Sequence, residues 1–439
     1  MRKIIFLLLI LVPFQLQSQE TKPKTHPAPK ATQSSSSKIS LRECYELSVK
    51  YMETVQISDQ EIQVAKARFS EVLGEIIPRV RIFATEFLQD DHANTPTGTT
   101  TGQVVNTFTR FSRPEVGVNV TQNLFRGFRE ITAMRLAKTD ERMQGYNKED
   151  VERLLYEDVA VAFYTVMQAE QDVASNQKVI KAYKDRILEL NKRIELGKSR
   201  ESEVLAQESD LGILEGTIER DKGRVIVAYQ MLSFLTGLDP HPRIQWDDPN
   251  KYVLKPLPEY TALAEGRADV MSSKMAVDMA KGKVKYDKGA LLPDAGADFN
   301  AYMYRVGFQE NIFWDANFRL NVPVFNWSTY GLIRESKAKA LQSELQLQLL
   351  KRQAVRDIKN AYERYSASMI EYQKYFSAAQ KSDASYRQQI QDYNMGLINN
   401  LDVIYAMNTW LVAVRQRDDS KVRLLANWVS LHVTSGIKP

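Results

Sequence analysis

Proline is missing from two very long stretches of this chain. Pro114 and Pro240 bracket 125 residues without it, and Pro323 and Pro439 bracket another 115. Inside a helix, proline loses a hydrogen bond and clashes with the preceding turn, at a cost of about 3 kcal/mol. Gaps of this size therefore admit helices far longer than a globular domain needs. The apolar pattern fits such helices. Val166, Ala169, Val173, Asn176, Ile180, Tyr183, Ile187, Leu190 and Ile194 alternate spacings of three and four. Beyond Gly197 the seam resumes at Val204 and runs through Leu211, Leu214, Ile218, Asp221 and Val225 to Leu235. A period of 3.5 sustained this far predicts helices packed along a seam. Gly197 can adopt a left-handed turn, so the two helices should fold back as an antiparallel hairpin. A helix over 129–195 would be about 100 Å long at 1.5 Å per residue.

The two halves repeat. RIELGKSRESEVLAQ at 193–207 aligns with DYNMGLINNLDVIYA at 392–406, an offset of 199 that also pairs Gly237 with Gly436. GEIIPRVRIFA at 74–84 aligns with GALLPDAGADF at 289–299, an offset of 215. A period near 200 is too long for a solenoid and signals an internal duplication. The chain divides into an export signal at 1–18, a flexible Pro/Lys/Ser/Thr-rich linker at 19–38, a first repeat at 39–239, a Pro-rich connector at 240–258 and a second repeat at 259–439. The signal has a basic start and an apolar run, Ile4 to Phe14, too short to span a bilayer. Long helices are expected at about 129–195, 202–235, 329–393 and 401–433.

Four segments alternate with a period of two, at about 78–89, 115–125, 294–304 and 313–324. Val116, Val118 and Val120 oppose Glu115, Asn119 and Thr121. Ala297 and Phe299 oppose Asp298 and Asn300. Trp314, Ala316, Phe318 and Leu320 oppose Asp315, Asn317 and Arg319. Each run has about the length at which a tilted strand crosses a bilayer. Tyr302, Tyr304, Phe308, Phe313 and Trp314 cluster at one end, and Phe325 and Trp327 at the other, as aromatic girdles would. A soluble sandwich alternates equally well. But four strands set between long helices cannot close alone, and open edges cannot face lipid. Several chains must then share one barrel, with Asn119, Thr121, Asp298, Asn300, Asp315, Asn317 and Arg319 lining its lumen.

Enzyme chemistry is disfavoured. Cys44 is the single cysteine, and the four histidines lie far apart, so neither a disulfide framework nor a metal site is expected. No phosphate-cradling, nucleophile-elbow or zinc-protease motif occurs, and no catalytic residue or cofactor is assigned. A net charge of +5 across 439 residues is no polyanion-binding balance, so nucleic acid is not an expected partner.

The order helix, hairpin, long helix, tip turn and returning helix, all duplicated, resembles the TolC-like outer membrane efflux proteins. LRECYELSVKYMETVQISDQEIQVAKARFSEVLGEIIPRV is similar to the family's opening helix with its terminal proline. EGRADVMSSKMAVDMAKGKVKYDKGALLPDAGADFNAY is similar to the second copy, with Arg267 and Asp269 at the R-x-D positions. Phe125-Arg126-Gly127 and Pro323-Val324-Phe325 resemble strand-to-helix exits, and YNMGLINNLDVIYA resembles the tip turn. The resemblance implies a mainly α fold with a membrane β-barrel, in which a homotrimer forms a 12-stranded barrel and an α-helical periplasmic tunnel. It implies a Gram-negative outer membrane channel of a tripartite efflux or type I secretion system, working with an inner membrane pump and a periplasmic adaptor. Gly396-Leu397 and Gly197-Lys198 match the adaptor-docking tips, although Lys198 stands where the family has Leu. Tyr393 matches a tyrosine used in a closing hydrogen bond, and Ile398 and Tyr405 replace polar residues expected beside it. Asp402, on a position lining the family's periplasmic entrance, has Glu203 as its first-repeat counterpart. The two form either a cation-favouring ring or ordinary first-turn helix acids. A periplasmic adaptor or a structural coiled-coil stalk are the other classes open to such a chain.

Overall fold

The computed structural model describes residues 38–88, 112–197, 199–238, 243–246, 252–306 and 311–437. The expected signal, Lys198 and Phe308 lie outside them. Two short helices open the first repeat, α1 (Leu41–Tyr51) and α2 (Glu53–Gly74). Strands β1 (Arg79–Leu88) and β2 (Ser112–Arg126) follow, then α3 (Arg129–Glu195) and α4 (Glu201–Thr236). The second repeat begins with a one-turn helix α5 (Leu257–Ala262) and α6 (Ala268–Gly289). It continues with β3 (Asp294–Arg305), β4 (Trp314–Asn321), α7 (Trp327–Asn394) and α8 (Asn400–Ser435). The duplication is exact in length for two helix pairs. Both α2 and α6 have 22 residues, and both α4 and α8 have 36.

Each boundary has a local cause. Ser40 caps α1 through a reciprocal box with Glu43: its hydroxyl accepts the Glu43 N–H, and the Glu43 carboxylate accepts the Ser40 N–H at 2.8 Å. Both α4 and α8 end on left-handed glycines, Gly237 and Gly436. Gly127 needs its missing side chain twice over. Its φ is +65°, and an added Cβ would lie 2.1 Å from the Gly289 carbonyl oxygen, where the β2 exit leans on the end of α6.

The four strands form one antiparallel sheet in the order β1-β2-β3-β4, which leaves the β1 and β4 edges open. Below it, α3 packs against α2, α4, α6 and α8, and α7 packs against α6 and α8. The main core lies where α1, α3, α4 and α8 meet, around Cys44, Phe163, Met167, Leu232 and Leu425. A second surrounds Tyr260, Ile358, Tyr365 and Leu431. Each large apolar side chain fully buried here contributes about 1.5–3 kcal/mol. Toward the tips Val179, Tyr183 and Met407 form a third, smaller cluster, and Leu190, Val204, Tyr393 and Val403 are buried beyond it. The largest buried clusters thus lie at the middles of the rods. Among the described residues, no helix is long and apolar enough to cross a membrane.

Candidate functional site: a two-faced sheet and a helical tip

One face of the sheet is apolar and bare. Val80 is 67% exposed, Ile82 72%, Phe318 77% and Leu320 70%. The other face is polar and tied across all four strands. Arg81, Asn119, Asn300 and Asp315 are direct cross-strand neighbours. Arg81 Nε donates to Asn119 Oδ1 at 2.9 Å, Asn119 Nδ2 to Asn300 Oδ1 at 2.7 Å, and Asn300 Nδ2 to Asp315 Oδ1 at 2.8 Å. Thr121, Asp298 and Asn317 form the next row, and Arg319 bonds Asp298 at 2.5 Å. All seven residues expected to line a lumen share this face.

Two bulges change the strict alternation. Tyr302 pairs with Gly117 but Tyr304 pairs with Val116, so Met303 is the extra residue. Tyr304 is thereby turned onto the apolar face, and Arg305 onto the polar face, where its Nε donates to Glu115 at 2.8 Å. The girdle expected from sequence loses Tyr302, because its hydroxyl donates to Asp315 at 2.8 Å on the polar face. The second bulge, at Leu124, falls between Asn123 and Phe125.

At the far end of the rods, both tip turns contain a left-handed glycine, Gly197 (φ +68°) and Gly396 (φ +80°). Leu397 is exposed beside Gly396. The two candidate carboxylates occupy the same position, third in their helices. Asp402 N–H donates to Asn399 Oδ1 at 3.1 Å while Asn399 N–H donates to Asp402 Oδ2 at 3.3 Å, a reciprocal capping box. Glu203 Oε2 accepts the Ser199 hydroxyl at 2.8 Å. Both therefore serve helix starts, and Asp402 stays exposed while doing so.

Tyr393 is buried, and its ring lies between two guanidiniums. The Arg186 carbon is 4.2 Å from the ring centroid and the Arg193 carbon 4.1 Å. Glu189 bridges the pair, at 2.7 Å from Arg186 and 3.3 Å from Arg193. Arg193 also donates to Asn394 Oδ1 at 2.7 Å, and Arg186 to Asn400 Oδ1. These contacts fasten the end of α3 to the turn joining α7 and α8. Sequence reading singled out the tyrosine but not the arginines. Their seven-residue spacing, one full heptad, was the available signal.

Between tip and core, a polar layer interrupts the seam. Asn176 donates to Asp221 at 2.7 Å and accepts from Arg415 at 2.9 Å. Gln171 and Ser175 each donate to Asp418 at 2.9 Å. Burial first, then the neighbouring Asp419 and Asp221 charges, push the Asp172 carboxyl up to about 6. Among the described residues, no cluster suited to a metal ion occurs.

No protein-family model matches the chain. The outer membrane efflux protein BepC of Brucella suis biovar 1 (strain 1330) is 24% identical over 373 residues, 82% of this chain and 75% of its own length. Solved structures share the fold. CusC superposes with a TM-score of 0.79 at 14% identity, covering 90% of this chain and 92% of its own. The outer-membrane channel OprN gives 0.75 at 16% identity, covering 91% and 90%. The Campylobacter jejuni CmeC outer membrane channel gives 0.75 at 15% identity, covering 90% and 85%.

Proposed function

We propose that this chain, whose fold is that of the outer membrane efflux channels and which resembles the TolC-like proteins, is the exit duct of a tripartite efflux or type I secretion system. Three copies would close one 12-stranded barrel in the outer membrane, and their helices would extend a water-filled tunnel into the periplasm. The observation that carries this reading is the sheet. It has a bare apolar face, a hydrogen-bonded polar face and two open edges. Lipid accepts the first, a lumen the second, and only neighbouring copies the third.

Passage through such a duct is passive, and no bond is made or broken. Energy comes from an inner membrane pump, handed on through a periplasmic adaptor that docks at the tips around Gly197, Lys198, Gly396 and Leu397. The tip also forms the gate. Tyr393, held between Arg186 and Arg193, keeps the second hairpin on the first, and Asp402 with Glu203 sets the charge at the mouth. The barrel lumen is lined by Asn119, Thr121, Asp298, Asn300, Asp315, Asn317 and Arg319.

Fractionation and planar-bilayer recording test this together. The protein should sediment with outer membranes, and the detergent-purified oligomer should insert as a discrete conducting channel. Partition into the inner membrane would favour an adaptor. An assembled oligomer that never conducts would favour a structural stalk.

A further inference from the structure

Where α6 begins, α3, α7 and α8 enclose a cavity of about 330 Å³, at the small end of ligand-binding cavities. Part of its wall serves the fold. Arg153 donates to the Val433 carbonyl at 3.1 Å and Arg267 to the Thr434 carbonyl at 3.2 Å, so both close the carbonyl end of α8. Each is also paired with a carboxylate at 2.7 Å, Arg153 with Asp150 and Arg267 with Asp269. Ser430 donates to Glu157 at 3.0 Å. The α7 wall is different. Asp357, Asn360 and Arg364 follow one another at spacings of three and four, so they share one face of the helix. Among the described residues, the Asn360 amide and the Arg364 guanidinium have no hydrogen-bond or ion-pair partner, and Asp357 is bonded through Oδ1 alone, by Arg356. An unpaired cation and a half-used carboxylate thus stand about 10 Å apart along α7.

This wall belongs to the second repeat only. At the offset of 199, Asn360, Arg364, Ser430 and Thr434 correspond to Val161, Thr165, Met231 and Leu235. The same helices therefore form with a mostly apolar set at the counterpart positions, and the architecture does not require the polar one. We infer that the cavity binds a short peptide with free termini, its carboxylate on Arg364 and Asn360 and its ammonium on Asp357. An anion alone would meet Glu157 and Asp357, and a cation alone would meet Arg153, Arg267 and Arg364. A zwitterion satisfies both. Two or three extended residues span about 7–10 Å, which is the distance available, and the guanidinium can take a carboxylate through two parallel bonds. All of the walls come from one chain, so the site goes beyond the channel reading and does not rest on it.

The test is calorimetric titration of the full-length, detergent-purified protein with trialanine. One saturable site per chain is expected. Acetylating the peptide's amine or amidating its carboxylate should each weaken binding about tenfold or more. Arg364→Gln should weaken trialanine binding by a similar factor and remove the difference between trialanine and its amide, while keeping the effect of acetylation. Asp357→Asn should do the converse. An unchanged thermal midpoint without peptide shows that both variants fold. Trialanine that gives no saturable heat with the unmutated protein, binds Arg364→Gln as tightly, or binds no better than acetate overturns the proposal. Planar-bilayer conductance is independent of all three results, so the exit-duct reading stands or falls separately.

Discussion

Arg186 shows how one side chain can add polar fastening to a packed helix end. It is 4% exposed and touches Tyr393, Glu189 and Asn400 where α3 meets the turn between α7 and α8. A desolvated cation–π contact contributes up to about 2 kcal/mol. Arg186→Ala should therefore raise tip opening, read as higher mean conductance, with little change in the global unfolding midpoint. Arg186→Lys should restore part of the effect, since it keeps the charge but loses the planar fork. Unchanged gating in Arg186→Ala would remove the arginine from the latch. Tyr393 was singled out through the resemblance of its tip motif to that of the TolC-like proteins, whereas Arg186 and Arg193 offer only a seven-residue spacing until the partner helix is in place. Asp172 gives a prediction in pH. Its carboxyl holds its proton more tightly in the fold, near 6, than at the ordinary 3.8. The folded state is then favoured most below about 4, and that benefit is lost as pH rises to about 6. The interval corresponds to roughly 3 kcal/mol at full burial, of which the half-exposed carboxyl keeps about 1 kcal/mol. Asp172→Asn should flatten this slope, so that the variant gains on wild type between pH 4 and pH 7 in denaturant midpoints. A difference independent of pH would mean that Asp172 does not titrate in this range.

At the scale of elements, the sheet predicts opposite responses from adjacent residues. Val118 pairs with Ile82 and Ala301 on the apolar face, and Asn119 with Arg81 and Asn300 on the polar one. Val118→Arg at mid-bilayer should cost about 2–4 kcal/mol and lower assembly. Asn119→Arg should assemble and change conductance instead. Equal tolerance of the two, by trimer yield on native gels, would argue for a soluble sheet. The strand alternation was legible because period two survives in sequence wherever one face is apolar. The bulge at Met303 was not legible. A bulge is a relation between two strands, and no single-strand pattern places Tyr304 opposite Val116 or Arg305 opposite Glu115. The long helices were legible for a different reason, since proline absence and a 3.5 period both act along one chain. Their starts lie within two residues of the expected ones, that of α3 at Arg129 itself. What the sequence does not announce is one entry conformation: Asn399 caps α8 by a recognisable box, but the residue before α3, Phe128, stands at φ +62°.

For the whole molecule, charge is divided between its two ends. On the polar face of the described sheet stand Arg79, Arg81, Arg113, Arg126, Arg305 and Arg319 against Glu115, Asp294, Asp298 and Asp315. That leaves two positive charges in excess per chain, so the barrel should mildly favour anions. In the proposed channel the mouth would carry Asp402 and Glu203 at equivalent positions, since each lies six residues past its tip glycine. Three copies would set six carboxylates around one constriction, where field lines concentrate and cations are favoured. The ends therefore oppose each other, and the narrower one should dominate selectivity. Neutralising the mouth with Asp402→Asn and Glu203→Gln should then reverse the preference, from cations toward anions, rather than merely abolish it. Asn at 402 keeps an acceptor for the Asn399 N–H, so the loss of capping should be limited to about 0.5–1 kcal/mol and the trimer should persist. The measurement is the single-channel reversal potential in a salt gradient, wild type against double variant, repeated at high salt, where screening should shrink the difference. An unchanged reversal potential in an assembled channel would return both carboxylates to the helix-start role that their hydrogen bonds already give them, and would leave the selectivity to the arginines of the barrel.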